Sequence, residues 1–558
     1  MKRAIGPARG RCSTVLSPMN TVATADLSAA RKQLILVAAI LGSSVVFIDS
    51  TVVNVALPAI EKDLGGGLAG QQWTSNAYLV TLSALILIGG SLGDIFGERR
   101  IFTLGVLGFG LTSLLGVIAP TIEVLVLARA LQGVFGALVT PAALALIVMT
   151  FPLDERGKAV GAWTAWGAIG AVLGPLVGGE LVDAASWRWI FAINLPLVAI
   201  DVWLIQRVVP PSRPGQTRAR VDVIGSVLCA AALAGITFGL IRQPTVGWAD
   251  PTVAVPLVGG IVLFGSFIAY EARSSHPMLP LGLFRSHNFS VGNVETLAMY
   301  AGLSLLFFFL VLFLQQVAGY SAIAAGSASL PVTVVTFLLS RRFGALADRL
   351  GPRLFMGLGP LVTAGGLALL LRLDAHVNYA TDLLPALTLF GLGLAMTVAP
   401  LTATVLAGAD EQNAGIASGV NNAVARVAGL VAVAAIGAVV AASFSATLDD
   451  RVGATRSPAV AHAIAQAKTR PLARVQPPAG LPAGERARLA AASEAASVTA
   501  FHLGMGISAA LVAIGGLFGF AIRNPRRTVK CSDCPGGQLV GAPEDAARTV
   551  DREVPVAA

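Results

Sequence analysis

Apolar runs of about 20 residues, with few charges inside them, recur along the whole chain, and each is long enough to cross a bilayer as a helix. Lipid offers the backbone no hydrogen-bond partners, so a spanning segment must satisfy its own amides, and only helices and closed barrels do so. A barrel needs strands that alternate polar and apolar residues, and these runs do not alternate. Of the 558 residues, 12% are charged, against about 25% in an ordinary soluble domain. That charge cannot wrap a globule of this size. The chain is therefore expected to be an all-α polytopic membrane protein.

Fourteen such segments begin near Leu34, Ala77, Ile101, Ile122, Ala159, Ile190, Val223, Val253, Phe289, Ala324, Leu354, Leu383, Gly415 and Val498. Basic residues gather in alternate connections. One side carries Arg99 and Arg100, Arg156 and Lys158, Arg213, Arg218, Arg220, Arg273, Arg285, Arg341, Arg342, Arg349, Arg353 and both tails. The short connections of the other side carry Lys62, Arg188, Arg242 and Arg372. This bias puts the first side and both termini in the cytoplasm. It also accounts for the net charge of +9, so no nucleic-acid partner is expected. Cys531 and Cys534 form one CxxC with no second pair or nearby histidines, and no metal site is expected. The basic N-terminus lacks a short apolar core with a cleavage site, so the first run is expected to stay as a span.

An internal repeat is visible. Gly90 to Arg100 reads GSLGDIFGERR and Gly344 to Arg353 reads GALADRLGPR, with Asp94 and Asp348 254 residues apart. Gly133 to Pro141 echoes Gly391 to Pro400. The offset fits six spans plus an extra pair. The expected organisation is a tail (1–33), a six-helix bundle (34–209), an inserted two-helix hairpin (210–285) and a second six-helix bundle (286–522). A long external connection lies at about 443–497, and a second tail at 523–558. Repeats of this kind place a ligand site between the halves, near the bilayer midplane.

Four stretches narrow this further: Asp49 to Pro58 in the first segment, the Gly90–Arg100 loop, Leu127 to Gly136 (LARALQGVFG) in the fourth, and Gly170 to Gly179 (GAVLGPLVGG) in the fifth. In that order, and over roughly residues 34–522, the chain resembles the fourteen-helix drug:proton antiporter family of the major facilitator superfamily. The resemblance implies a major facilitator fold with 14 transmembrane helices, two six-helix bundles plus an inserted hairpin. It implies proton-coupled efflux of small lipophilic or cationic compounds across the cytoplasmic membrane by alternating access, with no cofactor beyond the proton gradient, by a monomer. No GxxxxGK[ST] phosphate loop is present. At Glu98 the loop departs from the glycine-then-basic sequence usual in the family.

Asp49 and Arg129 are intramembrane charges, each costing roughly 2.5–3.5 kcal/mol on insertion scales, and each therefore needs a partner or water. Counted from the segment ends, both sit about 12 Å below the outer boundary, so they are expected to pair. Rearranging the pair would switch its protonation. A permanent buried salt bridge is the plainer alternative. Glu295, followed by Tyr300 and by Phe307, Phe308 and Phe309, suits a lipophilic cation, or it snorkels to the interface. Ser418, Asn422 and Arg426 fall four apart on one face. Asn54, Gln132, Tyr300, Phe308, Asn422 and Arg426 are the expected cavity residues, and Asp49, Arg129 and Glu295 the proton-coupling ones. Asp201 is expected to snorkel at the inner end of its segment.

Gly170, Gly174 and Gly178 form one helical stripe beside Pro175. Small residues at this spacing let helices approach closely, and proline bends them. Within the resemblance this stripe is a conformational element. So are the loop charges Asp94, Arg99, Arg100, Asp348, Arg349 and Arg353, which in the superfamily latch the inner side shut. Two other classes stay open: proton-coupled transport of another solute class (metabolite, antibiotic or lipid), and a membrane sensor or enzyme. The absence from the sequence of any convergent metal or Ser/His/Asp set disfavours the last.

Overall fold

The computed structural model describes residues 28–210, 222–275, 277–407, 414–453, 458–473 and 480–524. Cys531, Cys534, Arg213, Arg218, Arg220 and most of both tails lie outside these residues, as does the side chain of Asp94. The described chain holds a long helix at each of the fourteen apolar segments. They are α1 (Ala29–Leu64), α2 (Gly67–Phe96), α3 (Glu98–Val117), α4 (Ile122–Thr150), α5 (Leu153–Ala184), α6 (Trp189–Val208) and α7 (Val223–Val246). Then come α8 (Pro251–Glu271), α9 (His287–Gln316), α10 (Ala322–Leu350), α11 (Pro352–Arg372), α12 (Tyr379–Ala407), α13 (Ala414–Val452) and α14 (Ala483–Gly519). Twelve of these are long and apolar enough to cross a membrane by length and composition, among the described residues; α2 and α5 pack among them.

Local chemistry sets the ends. Thr121 caps α4 by accepting from the Val124 amide at 3.5 Å, and Asp222 caps α7 through the Gly225 amide at 2.8 Å. Gly97 and Gly351 join α2 to α3 and α10 to α11 at φ of 91° and 89°. That backbone favours glycine, which explains why the repeated loop carries one at this place. The connectivity sets Ser28 and Asn524 at one face, the expected inner one.

Helix pairing shows the repeat. In the first half α2 packs on α4, α3 on α4 and α6, and α1 on α5 and α6; in the second, α10 packs on α12, α11 on α12 and α14, and α9 on α13 and α14. The inserted pair α7–α8 sits on α2 and α13. Its Cys229, Leu233 and Phe267 pack with Val80 and Leu430, one from each half.

The apolar core falls into unlike parts. At the outer ends a single cluster joins both halves, running from Val52, Leu57, Ile60 and Phe191 to Leu305, Phe309, Phe313 and Phe501. Towards the inner face each half keeps its own, around Phe102, Phe109 and Ile147 in one and Phe289, Met356 and Leu401 in the other. Hydrogen bonds across the halves lie at the outer ends too. Gln72 Nε2 donates to Val433 O at 2.7 Å, Gln315 Nε2 to Val55 O at 2.9 Å, and the Ala322 and Ile323 amides to the Asp183 carboxylate at 3.0 and 2.8 Å. The described contacts between the halves thus gather at the expected outer face.

The long external connection is built into this closure. α13 runs out to Val452, a short helix spans Pro458–Lys468, and α14 begins at Ala483 rather than near Val498. Arg470 pairs with Glu61 at 2.7 Å and Thr469 O accepts from the Leu68 amide at 3.2 Å, while Ile464 and Leu472 join the outer cluster. α2 likewise starts ten residues before Ala77. Its Gln71, Gln72 and Thr74 are buried, so polar residues that end an apolar run on paper continue the helix here.

Gly179 on α5 lies where an added Cβ would come within 2.5 Å of Ile323 Cα across the halves. Gly179→Val should therefore wedge the outer closure. In a background with the four native cysteines replaced by serine, a cysteine at Asn54 should label several-fold faster with an impermeant maleimide on intact cells. An unchanged rate would mean that closure does not depend on this contact.

Candidate functional site

Glycine positions the helices that carry the site. Cβ atoms added at Gly170, Gly174 and Gly178 would lie close to Ile48, Thr51 and Val52, with Gly174 only 3.1 Å from Ile48 O. The stripe therefore seats α5 against α1 beside Asp49. Pro175 and Gly179 touch α10 instead, at Gly326 and Ile323, so α5 is packed on both halves. On α4, Gly133 lies against the Tyr78 and Leu82 backbone of α2, and Thr81 Oγ1 donates to Ala130 O at 2.7 Å. That close approach sets Arg129 and Gln132, three residues apart, on the face towards α1.

The expected pair is present. Arg129 Nη1 bonds and ion-pairs with Asp49 Oδ2, and both side chains are buried. The rest of each group is satisfied as well. Arg129 donates to Gln132 Oε1 at 2.8 Å and to Thr74 O at 3.1 Å. Asp49 Oδ1 accepts from Gln132 Nε2 at 3.3 Å and Asn194 Nδ2 at 3.2 Å. Ser113 Oγ accepts from the same two amides at 2.9 and 3.2 Å. The Arg129 guanidinium lies over the Tyr78 ring, 4.4 Å from its centroid. Five helices of one half thus hold a fully bonded ion pair, the condition for a buried pair to be tolerated.

Thr74, Tyr78, Ser113 and Asn194 were not picked out from the sequence. The available signal was a polar residue inside an apolar run, as at Asn194 between Ile193 and Leu195. Gln132, expected in the cavity, is wholly buried in this network.

Glu295 is not beside the aromatic surface expected for it. It is fully buried, neither oxygen has a hydrogen-bond partner, and a Cβ added at Gly519 of α14 would lie 3.1 Å from its Oε2. Glu295 and Tyr300 are five residues apart, about 140° around the helix, so the two cannot share a face. Asp201 does not snorkel either. It is fully buried and unpartnered, 2.5 Å from a Cβ added at Gly42. The two acids occupy corresponding places. One helix of each half offers the acid, another a glycine, and Phe102 and Met356, 254 residues apart, adjoin the two glycines.

Of the expected cavity residues, Asn54, Tyr300, Asn422 and Arg426 are half-buried or exposed. Asn54 accepts from Ser75 Oγ at 3.1 Å. Phe308 is buried in the outer cluster, edge-on to Phe309, because this end of α9 lies where the halves meet. In the loops, Arg99 bonds Gln206 Oε1 at 2.8 Å, Arg100, Asp348, Arg349 and Arg353 are exposed, and the Arg353 amide donates to Asn524 at 3.1 Å. Among the described residues Asp348 and Arg353 form no ion pair with each other.

Residues 39–433 match the Major Facilitator Superfamily model, and the chain belongs to that superfamily of transporters. Among curated proteins it is 39% identical to the puromycin resistance protein of Streptomyces alboniger over 73% of this chain and 81% of that one. It is 34% identical to the tetracenomycin C resistance and export protein of Streptomyces glaucescens, over 76% and 79%, and to the multidrug resistance protein Stp of Mycobacterium tuberculosis, over 78% and 81%. Among solved structures, a bacterial homologue of the human lysosomal transporter Spinster, inward-facing and unoccupied, aligns with a TM-score of 0.64 at 16% identity, covering 89% of this chain and 97% of that one.

Removing one member of the buried pair leaves the other charge stranded, at about 3–5 kcal/mol. Arg129→Met alone should lower the melting temperature of the detergent-solubilised protein more than Arg129→Met combined with Asp49→Asn. Equal losses would show that the pair is not coupled.

Proposed function

We propose that this chain is a proton-coupled exporter of small drug-like compounds, working by alternating access in the cytoplasmic membrane with both termini cytoplasmic. The observation that carries the reading is the buried Asp49–Arg129 pair, in a chain whose described cross-half hydrogen bonds and shared apolar cluster gather at the expected outer ends of its two halves. Resistance and export proteins among the relatives support efflux as the direction of transport. The proton gradient is the energy source, no cofactor takes part, and a monomer suffices.

In the proposed cycle, substrate enters the inner-open cleft near Asn54, Tyr300, Asn422 and Arg426 while Asp49 is paired. The halves then rock, breaking the outer contacts and bringing the Asp94 and Asp348 loops into their inner latch. A proton arriving from outside neutralises Asp49 and weakens its hold on Arg129, which favours return. Release inside restores the pair. Glu295, enclosed within its own half, is a weaker candidate for the proton than Asp49.

The reading is checked in proteoliposomes with an imposed pH gradient. Asp49→Asn should abolish uphill transport while leaving substrate exchange at equilibrium largely intact. Uphill transport at the wild-type rate in Asp49→Asn would overturn the assignment.

A further inference from the structure

The charges facing the space between the halves do not cancel. Asp49 is taken up by Arg129, Gln132 and Asn194. Glu295 and Asp201 are turned into the interiors of their own halves, against Gly519 and Gly42. What remains is Arg426 on α13. It is half-buried, close enough for its charge to act on the hydroxyls of Tyr78 from the first half and Tyr300 from the second, and without an ion-pair partner among the described residues. Tyr78 already carries the Arg129 guanidinium on its ring, and the Asp49 carboxylate is engaged by Arg129, so it is not available to Arg426.

A guanidinium without an ion-pair partner in a membrane-spanning segment is costly to maintain and is a functional candidate by default. Its planar fork matches a carboxylate in two parallel bonds and also stacks on aromatic surface. The neighbouring groups fit such a ligand. Tyr300 offers a ring and a hydroxyl, and Asn422, one turn nearer the inner face, is exposed with its amide nitrogen bonded to Ser418 O at 3.0 Å. A cationic ligand at this place would meet like charge, and the acid expected to attract one, Glu295, does not face the cleft.

We propose that Arg426 anchors the acidic group of the substrate, so that the cavity selects amphipathic aromatic compounds bearing a carboxylate, phenolate or enolate and disfavours lipophilic cations. This rests on the exporter reading and narrows its substrate class.

Fluorescein and pyronin Y share a xanthene body and carry opposite charge, and their binding to the purified full chain can be followed by fluorescence anisotropy. Wild type should bind fluorescein at least about tenfold more tightly than pyronin Y, the order that a charge-assisted hydrogen bond contributes. Arg426→Gln should lose about that factor for fluorescein with pyronin Y binding no weaker, which also shows that the variant is folded. Arg426→Lys should keep most of the preference. The proposal is overturned if wild type shows no preference for the anion or binds neither dye, or if Arg426→Gln weakens both dyes equally. Transport of the same dyes under a pH gradient separates the two readings. Anion-selective binding without uphill movement sinks the exporter and leaves the site; uphill movement of pyronin Y in preference to fluorescein does the reverse.

Discussion

Asp49 and Arg129 lie deep in a helical bundle with both side chains buried, and neither charge is tolerable there without the other. Much of the first half is arranged to make the pair possible. Glycines on α5 seat α1 at the right height, Gly133 brings α4 against α2, and Gln132, Asn194 and Ser113 complete the bonding. A pair this well satisfied is stable only while those helices keep their relative positions. A change in its charge state would therefore be felt by five helices at once, which is how the proposed coupling links a proton to a movement of the whole half.

The two halves share a packing plan but not a chemistry. Their helix pairings correspond, and their inner loops turn on equivalent glycines. Yet among the described residues the buried ion pair belongs to the first half, while in the second Arg426 has no ion-pair partner. The inserted hairpin and the outer strap break the symmetry further. The hairpin packs on one helix from each half, and the strap ties the end of α13 to the outer ends of α1 and α2 through Arg470 and Thr469. Movement between the halves must work against these added contacts as well as the apolar seam.

What the sequence revealed was depth, and what it concealed was direction. The helices at the apolar runs were legible because lipid forces each such run to be a helix. The Asp49–Arg129 contact was legible because two charges at equal depth have few other choices. Which way a side chain points around its helix depends on the neighbouring helices, and a single sequence does not state that. For this reason Glu295, expected beside Tyr300 and Phe308, faces Gly519 instead, and Phe308 lies in the closed outer seam. Asn194 and Ser113 escaped notice because isolated polar residues in apolar runs are common and acquire meaning only through what they meet. The part played by the external connection was hidden for a related reason. Its polar and alanine-rich composition does not announce that Ile464 and Leu472 join the core.

The central claim is that Asp49 exchanges its proton in step with substrate. Proton release on adding substrate to the purified chain in acidic, unbuffered detergent solution tests it without any membrane or gradient. The account predicts release from wild type and none from Asp49→Asn, with substrate still bound by both. Undiminished release from Asp49→Asn would contradict it and move the coupling to another acid.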